Sequence, residues 1–203
     1  MKIVIIDYGM GNIKSVSSAL KHLGIDKIVI SNTYNDIKIA DKLILPGVGS
    51  FVNAMNIIKN LELDKILDEV VLTDKKPILG ICLGMQLLCK NSQEDGGAQG
   101  LGYIDAECNR FIKGNLKVPH VGFNQVLINT KAKLYDGFRE NNDFYFTHSY
   151  RLESNCDINQ SYCHYGDNFI VSYEKNNITG TQFHPELSQT NGLKLLKNFI
   201  EKF

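Results

Sequence analysis

Two short stretches of this chain hold residues whose types and spacing suit nucleophilic chemistry. The first is Gly80-Ile81-Cys82-Leu83-Gly84, which follows the apolar run Lys76-Pro77-Ile78-Leu79 and opens into Met85-Gln86-Leu87-Leu88. Gly-x-Cys-x-Gly between a strand and a helix is the thiol form of a nucleophile elbow, where small neighbours let the chain bend sharply and expose the reactive atom. A helix N-terminus beyond the sulfur favours thiolate over thiol. The second stretch is Phe183-His184-Pro185-Glu186. A free thiol titrates near ~8.5 and needs a base or cation beside it at neutral pH. His184 supplies that base, and Glu186 orients its imidazole. Alone, a cysteine in an apolar stretch reads as a small buried hydrophobe, and His-Pro-Glu reads as a turn. Flanking glycines cost stability unless the backbone needs them, so the two stretches together point to thiolate attack on an amide carbon.

The elements around them are expected to build a parallel sheet. Ile3-Val4-Ile5-Ile6, Lys27-Ile28-Val29-Ile30, Lys42-Leu43-Ile44-Leu45 and Ile78 to Ile81 read as strands, the first a continuous apolar run suited to burial on both faces. Ile13, Val16, Leu20 and Leu23 recur at helical spacing before Gly24, and Phe51, Ala54, Met55, Ile58 and Leu61 give a second amphipathic helix. Strand and helix in alternation predict an α/β fold with a doubly wound, mostly parallel sheet flanked by helices. From about Gly102 to Gly180 the rhythm changes to short strands and turns, an antiparallel insertion in the C-terminal half. Phe144 to Thr147, Phe169 to Tyr173 and Ile178 to Phe183 are strand-like, with a turn at Asn176-Asn177, and Leu193, Leu196, Ile200 and Phe203 mark a closing helix. One domain over residues 1–203 is expected.

Composition narrows the function. Lys plus Arg number 22 and Asp plus Glu 22, so the basic excess of a nucleic-acid binder is missing. No run approaches the ~18 apolar residues of a membrane span, and Met1 to Asp7 lacks the layout of a secretory signal. The cysteines, Cys82, Cys89, Cys108, Cys156 and Cys163, are odd in number and irregularly spaced, which fits a reducing cytoplasm better than a disulfide framework. Cys156, Cys163 and His164 lack the close ligand pairs of a zinc site. Neither metal nor cofactor is expected.

Backbone donors for an oxyanion are needed too. The Leu83 N–H, directly after the nucleophile, is the first. The Pro46-Gly47-Val48-Gly49 loop follows a strand of the same sheet and is expected on the same rim as the elbow.

The elbow and the His-x-Glu pair, with Asp7-Tyr8-Gly9-Met10-Gly11-Asn12, Pro46-Gly47-Val48-Gly49, Pro119-His120-Val121-Gly122 and His148-Ser149-Tyr150, give a near end-to-end resemblance to class I glutamine amidotransferases. Within them the chain is most similar to the glutaminase subunit of imidazole glycerol phosphate synthase. The resemblance implies a Cys82–His184–Glu186 triad that releases ammonia from glutamine. It implies an oxyanion strand at Gly47, Val48 and Gly49 whose peptide turns to present an N–H. Glutamine binding falls to Gln86, Glu94 and the backbone at Ser149 and Tyr150. A (β/α)-barrel cyclase subunit is the implied partner and histidine biosynthesis the implied pathway, with Asn12, His120 and Tyr150 at positions near the subunit interface. Two interface positions depart from the family: Leu187 stands where Lys is common, and Phe123 where Trp is common. Two alternatives therefore stay open, a related glutaminase feeding a synthetase that amidates a surface-glycan sugar, and a catalytically silent binding subunit.

Overall fold

In the computed structural model, residues 1–111, 116–139 and 142–203 are described. Five parallel strands form the half of the sheet that carries the elbow: β1 (Lys2–Ile6), β2 (Lys27–Ser31), β3 (Lys42–Leu45), β4 (Ile78–Ile81) and the late strand β13 (Ile178–Thr181), in the order β2-β1-β3-β4-β13. The helices between them are α1 (Ile13–His22), α2 (Tyr34–Lys38), α3 (Phe51–Asn60) and α4 (Leu63–Leu67). Side chains alternate across a strand, and every residue from Ile3 to Ile6 is buried. Ile3 and Ile5 pack with Val16 and Leu20 of α1 and with Leu195, Leu196 and Phe199 of the last helix, α6 (Gln189–Lys202). Val4 and Ile6 pack on the other face with Phe51, Met55 and Ile58 of α3. The doubly wound sheet expected from the alternating pattern is present.

The elbow helix α5 is short, Leu83–Leu87, and the chain returns at once to a strand, β5 (Cys89–Ser92). The reason lies in its carbonyls: Leu87, Leu88, Cys89 and Lys90 accept backbone N–H groups from residues 100–104 instead of continuing a helix. A single turn sums few peptide dipoles, so any pull on the sulfur comes from the local N–H groups and not from a long macrodipole. The remaining strands are β6 (Ala98–Gln99), β7 (Ile104–Arg110), β8 (His120–Leu127), β9 (Asn142–His148), β10 (Tyr150–Glu153), β11 (Ser161–Tyr165) and β12 (Asp167–Lys175). Most of their pairings are antiparallel, including β8 with β9 and the β12–β13 hairpin that turns at Asn176-Asn177. β13 stops at Thr181, two residues short of the stretch read as strand, and leaves the sheet toward His184.

Candidate active site

β4 carries Cys82 to the rim of the sheet in a conformation L-residues avoid, φ 54° and ψ −109°. Such strain concentrates at functional positions and persists only where the surroundings impose it. Here the surroundings are close contacts. The Cys82 N–H donates to Thr181 O at 2.7 Å, extending the β4–β13 ladder by one bond. A Cβ on Gly84 would stand 1.8 Å from Leu45 O, and one on Gly80 would stand 2.7 Å from the carbonyl of Gly84. Only hydrogen fits at these two positions, which lets α5 fold back over β3 and β4 and leaves the sulfur at the top.

His184 arrives from β13, the strand beside β4, with Ile81 paired to Thr181. Its backbone N–H is held by Tyr145 O at 2.9 Å. Its Nδ1 lies 2.8 Å from Glu186 Oε1, which also accepts from Asn12 Nδ2 at 3.3 Å. Among the described residues His184 Nε2 and Glu186 Oε2 are buried without hydrogen-bond partners, whereas buried polar atoms are nearly always paired. Burial opposes charge on the His184 ring, but the Cys82 and Glu186 side chains beside it outweigh that and raise the imidazole from 6.5 to about 10.

The Pro46–Gly49 loop lies against the elbow, on the rim expected for it. Tyr8 Oη donates to Pro46 O at 2.8 Å, and a Cβ on Gly47 would meet Tyr8 Oη, Gly84 N and Leu83 Cβ, all within 2.8 Å. Val48 is 42% exposed and Gly49 has φ 101°. A cleft of about 290 Å³ opens between Val48, Gly49, Cys82, Leu83, Gln86 and Glu94 on one side and Pro119 and Thr147 to Tyr150 on the other. Gln86 is buried, donating through Nε2 to Tyr150 O (3.3 Å) and Gln182 Oε1 (2.8 Å). Both amide hydrogens are thereby engaged, and its carbonyl oxygen remains as acceptor. Glu94 Oε2 accepts the Phe51 N–H at the start of α3 at 2.7 Å, and burial chiefly raises its carboxyl above the usual range. Ser149 O accepts from Phe111 N at 3.2 Å.

Of the five residues expected near a partner, Tyr150 is half-buried at the cleft, and the other four separate into two groups. Phe123 (50%) and Leu187 (40%) are exposed. Asn12 reaches inward to Glu186, and His120, at 3% exposure, is interior and is not itself a contact surface. His120 stacks on Tyr165 with ring centroids 4.0 Å apart, and its Nδ1 lies 3.0 Å from His148 Nε2, whose Nδ1 meets Tyr150 O at 2.7 Å. Burial pushes His120 down to about 4, and burial with the neighbouring His120 and His184 pushes His148 down to about 3. Sequence reasoning missed Gln182, whose Nε2 lies 3.7 Å from Cys82 Sγ. The available signal was a glutamine one residue past a buried apolar strand, where a long amide needs partners. Among the described residues no group of three His, Cys, Asp or Glu side chains is placed to hold a metal ion, and no helix is long and apolar enough to cross a membrane.

A strained thiol paired with a His–Glu couple at the rim of a doubly wound sheet defines a class of amide-cleaving enzymes, and the comparisons agree. The profile of the family "Glutamine amidotransferase class-I" matches residues 4–203. The chain belongs to that family. It is 46% identical over 199 residues to the imidazole glycerol phosphate synthase subunit HisH 1 of Campylobacter jejuni (strain RM1221), covering 98% of both chains. It is 42% identical over 203 residues to the HisH subunit of Aquifex aeolicus (strain VF5), covering 100% of this chain and 97% of that one. The PurLQS structure from Thermotoga maritima shares the fold, with a TM-score of 0.72 at 16% identity over 98% of this chain and 97% of that one.

Proposed function

We propose that this chain, as one domain over residues 1–203, is the glutaminase subunit of an imidazole glycerol phosphate synthase in histidine biosynthesis. The observation that carries the chemistry is the convergence of Cys82, His184 and Glu186 from neighbouring parallel strands, with the His184 imidazole raised to about 10. The Cys82 thiolate attacks the side-chain carboxamide carbon of glutamine. The Leu83 N–H sits in the first turn of α5, where amides lack helical acceptors, and stabilises the oxyanion together with a donor from the Val48 loop. The His184 imidazolium gives its proton to the amide nitrogen, the C–N bond breaks, and ammonia leaves behind a thioester. Water loses a proton to His184, attacks the thioester and releases glutamate, which returns the ion pair. Glu186 keeps the ring oriented. Gln86, Glu94 and the backbone at Ser149 and Tyr150 hold the substrate's amino-acid end.

Ammonia becomes ammonium in water and then is no nucleophile, so an acceptor enzyme receives it directly. Both HisH relatives bear the name of an imidazole glycerol phosphate synthase subunit, which supports a (β/α)-barrel cyclase as that partner. The five free thiols fit a cytoplasmic protein. Exposed Leu187 and Phe123, in place of the family's common Lys and Trp, favour one second reading: supply of ammonia to a synthetase that amidates a glycan sugar. Complementation decides between them. A strain lacking the histidine-pathway glutaminase receives this chain with its cognate barrel protein, and growth without histidine is the expected outcome. No growth, with both proteins soluble and the chain active beside another synthetase, would transfer the assignment to the second reading. Cys82→Ala is expected to abolish glutamine-dependent activity while ammonium at high pH still serves the partner; retained hydrolysis in that variant would end the thiolate mechanism.

A further inference from the structure

Gln182 is fully buried one residue past β13, its backbone N–H held by Val171 O at 2.8 Å. Its side chain bridges two parts of the site: Oε1 accepts from Gln86 Nε2 at 2.8 Å, and Nε2 points to Cys82 Sγ at 3.7 Å. The orientation of this amide follows from its partners. Tyr150 O only accepts, so Gln86 must present its NH₂ group there, and the same NH₂ then meets Gln182. A reversed Gln182 would set donor against donor at Gln86 and leave the sulfur facing an oxygen. The only consistent arrangement gives Sγ an N–H. The other groups beside the sulfur are His184 with Glu186 behind it, Tyr8 from the loop after β1, and Thr147 O at 3.9 Å. Of these only His184 offers positive charge, and Thr147 O is an acceptor.

We propose that the Gln182 carboxamide is a further catalytic group: it donates a hydrogen bond to Cys82 Sγ, favours the thiolate, and through Gln86 ties the nucleophile to the strand that binds substrate. This rests on the glutaminase reading for its meaning in turnover, but the contact has its own test. Iodoacetamide alkylates Cys82 without glutamine, forming the S–C bond as iodide leaves, and peptide mass mapping separates Cys82 from the exposed Cys156. In the full-length Gln182→Met variant, the rising limb of the Cys82 alkylation rate–pH profile is expected to move about one unit upward, which slows alkylation about tenfold at any pH on that limb, the size of one charge-assisted hydrogen bond. Gln182→Glu keeps the shape and the acceptor for Gln86 but sets a carboxylate at sulfur, and it is expected to slow the reaction further. A profile superimposable on the parent's in either folded variant would overturn the proposal. The unsubstituted protein gives a check free of folding effects. The Gln182 side-chain amide resonances are expected to move when Cys82 is alkylated, and unmoved resonances would also overturn it. A parent protein that alkylates as expected but never hydrolyses glutamine beside any partner would sink the glutaminase reading and leave the contact standing.

Discussion

At the scale of single residues, the site is a set of acceptors and donors with little slack. Glu186 Oε1 serves both His184 and Asn12, while its second oxygen has no partner among the described residues. Glu186→Gln removes the charge that helps hold His184 at about 10 and offers an N–H where an acceptor is needed. The expected result is a loss of about a thousandfold in kcat with KM little changed, read from steady-state glutamine hydrolysis. A loss below tenfold would show that Glu186 is dispensable for orientation. Asn12→Ala leaves the His184–Glu186 bond in place, so it is expected to cost severalfold only. Cys82, His184 and Glu186 stood out in the sequence as candidates because their residue types are rare in those settings: a cysteine between glycines, and a histidine and glutamate bracketing a proline. Gln182 was not legible, because its role depends on Gln86 and Tyr150, which arrive from other elements.

At the scale of elements, the elbow is a problem of distance between backbones. With Gly84 needed so that α5 clears Leu45 O, Gly84→Ala is expected to push α5 off β3, with a cost of about 3 kcal/mol or more in chemical unfolding. A cost under ~0.5 kcal/mol would show that the helix can shift freely. The β8–β9 pair buries His120 and His148 with both rings depressed, to about 4 and about 3. Unfolding lets each ring take up a proton near its usual 6.5, so the unfolded state binds more protons than the folded one below that pH. The contribution of these two rings to stability is then full above about 6.5 and falls as the pH drops toward 4, by up to ~1.4 kcal/mol per pH unit for each ring. Urea unfolding across that range is expected to show the slope, and His148→Gln to make it shallower; an unchanged slope would assign the effect elsewhere. β1, β3 and β4 could be read from sequence because strands covered on both faces need unbroken apolar runs. β7 escaped notice although Ile104, Ala106 and Cys108 alternate inward with Asp105 and Glu107 outward, because alanine and cysteine signal burial weakly. α5 was read correctly as a helix, but its one-turn length depends on amides from residues 100–104 that no local pattern announces.

At the scale of the whole molecule, Phe123 and Leu187 flank Tyr145: the Phe123 and Tyr145 rings lie 5.5 Å apart, and the Tyr145 N–H donates to Ser188 Oγ at 2.9 Å, next to Leu187. Tyr145 O in turn holds the His184 backbone. For the barrel partner of the proposed function, Phe123→Ala is expected to weaken the complex about tenfold by titration calorimetry without changing the isolated chain's stability. Leu187→Lys is expected to weaken it or leave it unchanged, because a partner matched to leucine would not keep a buried unpaired carboxylate opposite. Tighter binding would reveal an acidic residue there. The topology also sets when the chemistry is switched on in the life of the chain. β13 follows every other described strand in the chain, yet it lies in the middle of the sheet beside β4, holds the Cys82 N–H through Thr181 O and leads directly to His184. Until the ribosome has passed residue 184, the thiol has neither its neighbouring strand nor its histidine. On the proposed chemistry, a translation product that ends before residue 184 consumes no glutamine.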